Sequence, residues 1–191
     1  MMQNAPRFRW NKDLCCLIHD RESGKTTVAL DLAKRVPKTK IIVLNSNFEH
    51  AYRDIAYKIV KPKFYTTEIL DAFIKYLRQH VNVLGIIDDI DLYKPQYSMQ
   101  LESLAINGRH QNVGLIIMSR RVVGLPKTFC KCVDLLYCGY TNAKSDLETI
   151  SEYFDAKVAQ VVPTLPRKYK FARWSKKDPD NIVIIESGKS L

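Results

Sequence analysis

The sequence predicts an α/β fold: a central, mostly parallel sheet flanked by helices, with a β-hairpin at the C-terminal end. Three observations carry that expectation. Residues 14–18, 40–45, 83–87, 114–118 and 133–138 are short apolar runs, continuous enough for strands buried on both faces. Segments of helical period separate several of them, and alternating strands and helices favour a parallel sheet covered on both sides. Prolines and glycines fall between the periodic stretches as ordinary punctuation.

The elements follow in order. After the first strand, residues 27–35 read as an amphipathic helix, Pro37 marks a turn, and 40–45 form the second strand. A helix is expected over 47–57, then a short extended piece at 63–65. Thr66 can cap a helix on which Ile69, Phe73 and Leu77, with Leu70 and Ile74, make one apolar stripe facing the core. Residues 83–87 and 114–118 are the third and fourth strands, separated by a helical region over 95–107, and 133–138 are the fifth. Residues 169–174 and 182–185 then read as two strands joined by the polar loop 176–181.

The chain of 191 residues suits one domain, with a core at about 10–140 and an extension at about 141–191. Its formal charge of +10 favours polyanionic partners, nucleic acid and nucleotide first and an acidic membrane surface after them. No apolar run reaches the roughly 18 residues of a membrane span, and residues 1–10 lack the apolar core of a signal peptide. A soluble intracellular protein is expected. The five cysteines form no CxxC pair, and Cys15 and Cys16 point to opposite faces of one strand, so they read as buried thiols.

The first strand runs into His19-Asp20-Arg21-Glu22-Ser23-Gly24-Lys25-Thr26-Thr27, which fits a phosphate-binding loop in all but its first position. In such a loop backbone N–H groups curl around phosphate oxygens, the lysine spans the terminal phosphates, and the hydroxyl after it holds Mg²⁺. Residues 19–27 are therefore the expected nucleotide contacts, with ATP and Mg²⁺ as the implied ligands and Thr26 on the metal. His19 stands where the pattern has glycine. Positive φ or close backbone approach is expected there, and histidine is among the non-glycine residues enriched at positive φ.

A Mg²⁺-triphosphate also needs a carboxylate at the end of a buried strand, and hydrolysis needs a group to orient water. Ile86-Ile87-Asp88-Asp89 supplies both: Asp88 on the metal side and Asp89 to activate water. The usual residue at the second position is Glu, and Asp is shorter by one methylene. Asp91 is a further acid nearby, and Glu22 is a weaker competitor for the base.

The stretch Asn107-Gly108-Arg109-His110-Gln111-Asn112-Val113-Gly114, continuing through Ser119-Arg120-Arg121 to Leu125-Pro126, resembles the FtsK/HerA superfamily of DNA-pumping ATPases. More narrowly, it looks like the small genome-packaging ATPases of membrane-containing icosahedral viruses. With the loop and the acid pair, the resemblance covers roughly residues 10 to 140. It implies a RecA-like (ASCE) P-loop NTPase fold, ATP hydrolysis and a homo-oligomeric ring. Arg109 matches the arginine finger that reaches a neighbouring subunit's site, and Ser119 the sensing polar residue at the end of the fourth strand. Arg120 replaces the family's Gln, and Arg121 matches the Arg after it.

The resemblance further implies pumping of viral double-stranded DNA, in the cytoplasm of the infected cell and transiently at a procapsid or portal vertex. Basic and aromatic residues interleave over 167–177, a pattern that suits phosphate attraction and base stacking and equally suits a guarded edge hairpin. A DNA-transfer or phage-assembly ATPase of the same superfamily is the nearest rival. A nucleotide kinase would share the loop, and a non-hydrolysing, nucleotide-gated DNA-binding protein would bind ATP and DNA without releasing phosphate.

Overall fold

The computed structural model describes residues 7–47 and 50–188. One sheet of eight strands organises it, in the order β3-β2-β4-β5-β1-β6-β7-β8. The six parallel strands are β1 (Leu14–Ile18), β2 (Ile41–Leu44), β3 (Lys58–Val60), β4 (Val83–Ile87), β5 (Val113–Ser119) and β6 (Leu135–Cys138). The hairpin of β7 (Lys170–Ser175) and β8 (Asp178–Glu186) extends the sheet antiparallel from β6. A mostly parallel sheet with a C-terminal hairpin is what the apolar runs led one to expect.

Each central strand is buried because successive side chains feed two cores. Leu14, Cys16 and Ile18 of β1 pack with α2 (Thr67–Arg78), α3 (Met99–Asn107), α4 (Lys127–Cys132), α5 (Lys144–Tyr153) and α6 (Ala156–Val161) on one face. Cys15 and Leu17 join α1 (Lys25–Ala33) on the other. Each fully buried Leu or Ile contributes about 1.5–3 kcal/mol relative to exposure, so the two-sided strands and the helical faces packed on them share the stabilisation. All five cysteines are free; burial raises the Cys15, Cys16, Cys130 and Cys138 thiols above their ordinary range.

The predicted helix over 47–57 is not formed. Residues 48 and 49 lie outside the described residues, and His50–Tyr52 makes only a 3₁₀ turn. The third strand in chain order is Lys58–Val60, while 63–65 are irregular. That strand is three residues long and partly exposed, too brief to leave an apolar run. Thr66 caps α2 as expected, its hydroxyl accepting from the Ile69 N–H, and Leu70, Phe73, Ile74 and Leu77 are buried. The region 95–107 divides into a 3₁₀ turn, Pro95–Tyr97, and α3, which Ser98 caps. Helices α5 and α6 match no predicted element, because their polar sequence bears few inward residues, Ile150 and Val158 among them. The hairpin turns at Lys176 and Lys177 alone, and 178–181 already belong to β8.

Candidate functional site

The phosphate loop leaves β1 at the C-terminal end of the parallel strands. His19 continues the ladder, its N–H bonded to the Ser119 carbonyl at 3.1 Å. Of the two alternatives expected there, positive φ is not adopted by His19; it occurs instead at Glu22 (53°) and Gly24 (94°). What the first position requires here is room for a ring. The imidazole is buried against Gly139, where an added Cβ would come within 1.8 Å of His19 Cδ2, and it makes a T-shaped contact with Phe171. Burial, followed by the nearby Lys25 ammonium, lowers His19 to a pKa of about 4. The neutral ring accepts the Asp20 N–H at Nδ1 (2.9 Å), which places its own proton on Nε2.

Asp20, Arg21 and Glu22 are exposed on the outer turn, with Lys168 Nζ 3.9 Å from Glu22 Oε2. Ser23 is buried and donates to the Asp20 carbonyl at 2.7 Å. Lys25 opens α1 and folds back, its amine donating to the carbonyls of His19 (2.6 Å) and Asp20 (2.7 Å). An ammonium carries three donors, so a third N–H remains for an anion. Burial lowers the Lys25 pKa, against the pull of Asp89, Asp88 and Asp91. Helix α1 has no side-chain cap and no acidic residue in its first turn, so its leading N–H groups and positive dipole end suit a phosphate. Thr26 is half-buried in that first turn and Thr27 is exposed.

The acid pair ends β4. Asp88 and Asp89 are both buried, and Asp89 adopts a left-handed conformation (φ 46°) that turns the chain away from the sheet. Asn47, beyond β2, donates to Asp89 Oδ2 at 3.1 Å and lies 3.4 Å from Asp88 Oδ2. Ser46 donates to the Asp88 carbonyl at 2.6 Å and meets the Tyr93 hydroxyl at 2.7 Å; burial foremost raises Tyr93 to a pKa of about 12. Asp91 is no spare acid. Its Oδ1 lies 2.5 Å from the buried Ser119 hydroxyl and its Oδ2 accepts the Arg120 N–H at 2.7 Å, so it fixes the end of β5.

Thr26 and Asp88 offer the oxygen donors that suit Mg²⁺. Among the described residues no cluster of three or more His, Cys, Asp or Glu forms a metal cage. Mg²⁺ ordinarily takes one or two protein oxygens and fills its shell with phosphates and water.

Arg109 lies elsewhere. It occupies a 3₁₀ turn before β5, at the N-terminal end of the parallel strands, and pairs with the buried Asp134. The seven residues of β5 put about 20 Å between that end and the loop. The 167–177 stretch is also redistributed. Phe171, Arg173 and Trp174 are buried, so neither Phe171 nor Trp174 presents a stacking face, while Tyr169 is half-exposed beside the loop. Asn47, Gly139 and Tyr169 were not singled out as nucleotide-site residues from the sequence. The available signal was position: Asn47 and Gly139 follow buried strands at the end of the sheet where α/β folds bind ligands.

With β5 inserted between the loop strand β1 and the acid strand β4, the chain has the fold of the RecA-like, ASCE class of P-loop NTPases. Among solved structures, it resembles the genome packaging NTPase of Sulfolobus turreted icosahedral virus 2, determined in complex with AMPPCP. The TM-score is 0.79 at 20% identity, over 92% of this chain and 98% of that one. The DNA-packaging ATPase of Sulfolobus turreted icosahedral virus gives 0.77 at 21%, over 92% and 98%. The N-terminal domain of zonular occludens toxin from Neisseria meningitidis is more distant, at 0.54 and 11%, over 92% and 93%. No protein-family model and no curated protein matches the sequence.

Proposed function

We propose that this chain is an ATP-driven translocase of double-stranded DNA, and that its work is the packaging of a viral genome. One observation carries the reading: the phosphate loop and the Asp88-Asp89 pair lie on either side of the end of β5, so one triphosphate can touch both. The two virus packaging enzymes that share the fold over most of their length support the specific task.

In this reading Lys25 and the first N–H groups of α1 bind the terminal phosphates. Thr26 and Asp88 hold Mg²⁺, which when bound neutralises charge on the phosphate oxygens. Asp89 accepts a proton from the attacking water, with Asn47 orienting the carboxylate. Arg109, about 20 Å from its own loop, serves a neighbour in a homo-oligomeric ring, where it stabilises charge on the transferred phosphoryl group. Such an interface is heterologous, the kind that closes into rings. The +10 charge supplies attraction to DNA phosphates, the backbone grip that a motor indifferent to sequence needs. The motor would work in the cytoplasm of the infected cell and transiently at a procapsid or portal vertex. Among the described residues no helix is long and apolar enough to cross a membrane.

Steady-state phosphate release from Mg-ATP, with and without double-stranded DNA, tests this for wild type, Lys25→Ala, Arg109→Ala and mixtures of the two variants. Turnover lost in each variant and partly restored on mixing is the expected result. ATP binding without hydrolysis under every condition overturns it in favour of a nucleotide-gated binding protein.

A further inference from the structure

Tyr169 is held against the phosphate loop by the backbone. Its N–H donates to the Ser23 carbonyl at 3.1 Å, and its carbonyl accepts the Ser187 N–H at 2.8 Å. The residue is left-handed, with φ 63°, a conformation that a β-carbon disfavours and that surrounding contacts must impose. Its ring reaches the loop: a Cβ placed on Gly24 would lie 3.3 Å from Tyr169 Cδ1. Yet 51% of the residue remains exposed, so Tyr169 is anchored on the loop through its backbone while much of the residue stays open to solvent.

The order of the sheet says which part of a ligand would meet that face. The acid pair on β4 and the end of β5 lie on one side of β1, so the terminal phosphates point toward them. The remainder of a nucleotide must then leave on the other side of β1, over β6 and β7. Tyr169 immediately precedes β7, and Ser187 follows β8 at the same end of the sheet.

We propose that Tyr169 is the stacking platform for the base of a nucleoside triphosphate whose phosphates occupy the loop at residues 19–26. The inference rests on the nucleotide-site reading above and deepens it: the site selects nucleoside triphosphates over bare polyphosphate by ring stacking. The segment 167–177, whose basic and aromatic composition suits DNA contact and a guarded edge hairpin equally, thereby contributes the ring of Tyr169 to the nucleotide site.

The test compares ATP with inorganic tripolyphosphate, both with Mg²⁺, by titration calorimetry. Tyr169→Gly removes the ring and adopts positive φ without strain, so the fold is kept; Tyr169→Phe keeps the ring. Tyr169→Gly should weaken ATP about tenfold while tripolyphosphate stays within about twofold, and Tyr169→Phe should bind both as wild type does. Equal weakening of both ligands means the ring only props the loop, and unchanged ATP affinity means there is no stacking; either result overturns the proposal and leaves the phosphate site standing. A wild type that binds neither ligand overturns both.

Discussion

Arg120 and Asn47 converge on one oxygen of Asp89: a guanidinium nitrogen lies 3.5 Å from Oδ2 and the Asn47 amide 3.1 Å from it. Arg120 Nε is buried with no hydrogen-bond partner in the described structure, so the side chain is drawn into the site with its hydrogen-bonding capacity only partly used. A terminal phosphate in the loop would compete with Asp89 for this cation, releasing the carboxylate as the phosphate is bound. Arg120→Ala is therefore expected to lower kcat by about one to two orders of magnitude and leave KM within about threefold. Initial rates over a range of ATP concentrations check it; a change in KM alone would make Arg120 a simple binding residue.

In the proposed mechanism Asp89→Asn removes the proton acceptor while keeping the shape and the contact with Asn47. Turnover should fall by about two orders of magnitude or more while ATP still binds. Single-turnover hydrolysis alongside equilibrium binding separates the two effects.

Within its own subunit Arg109 is the partner of buried Asp134, whose carboxyl burial raises above its ordinary pKa while the arginine opposes the shift. Asp134 also accepts the Leu14 N–H at 2.9 Å. Arg109→Ala should thus cost about 1–3 kcal/mol in denaturant unfolding. The mixing experiment remains interpretable, because lost stability is not restored by a second variant whereas a shared site is.

Gly139 and His19 are coupled by contact. A methyl on Gly139 overlaps the imidazole, and the Gly139 backbone is not left-handed, so only packing opposes an alanine there. Gly139→Ala is expected to destabilise by about 1–3 kcal/mol or more, and His19→Gly to relieve most of that in the double variant. Additive losses in a thermal-unfolding cycle would contradict the contact.

His19 also makes stability depend on pH. Its folded pKa of about 4 lies below the 6.5 of the free side chain, so between these values the unfolded chain binds the extra proton. Its contribution is complete above about pH 6.5 and is lost as pH falls toward 4, by about 3 kcal/mol across the window. Denaturant unfolding at pH 7 and pH 4.5 should show a steeper loss for wild type than for His19→Gln, which has no proton to gain. Parallel losses would show that carboxyl groups, not His19, set the acid limb.

The legible parts of this protein were those in which contiguous residues carry the physical signal. The apolar runs at 14–18, 83–87 and 114–118 marked buried strands, and Thr66 with the stripe from Leu70 to Leu77 marked a capped helix. Gly24-Lys25-Thr26 after one strand and Asp88-Asp89 after another marked the two halves of the candidate site. The strand at Lys58–Val60 escaped because three residues hold too little pattern, and α5 and α6 because few of their side chains face inward. The aromatics at 167–177 stayed open between base stacking and an edge hairpin because composition does not say which face of a strand is covered, and Phe171 and Trp174 are buried.

The α/β class, the phosphate-loop motif and the acid-pair motif are written in local patterns, since periodicity, capping and loop chemistry act between near neighbours in the chain. Only the packed sheet shows that β5 separates the two halves of the candidate site and that Arg109 lies at the far end of the strands. It also joined Asn47 to Asp89, Gly139 to His19 and Tyr169 to Gly24. Those relationships follow from strand order and from close packing between segments far apart in sequence, and no local pattern encodes them.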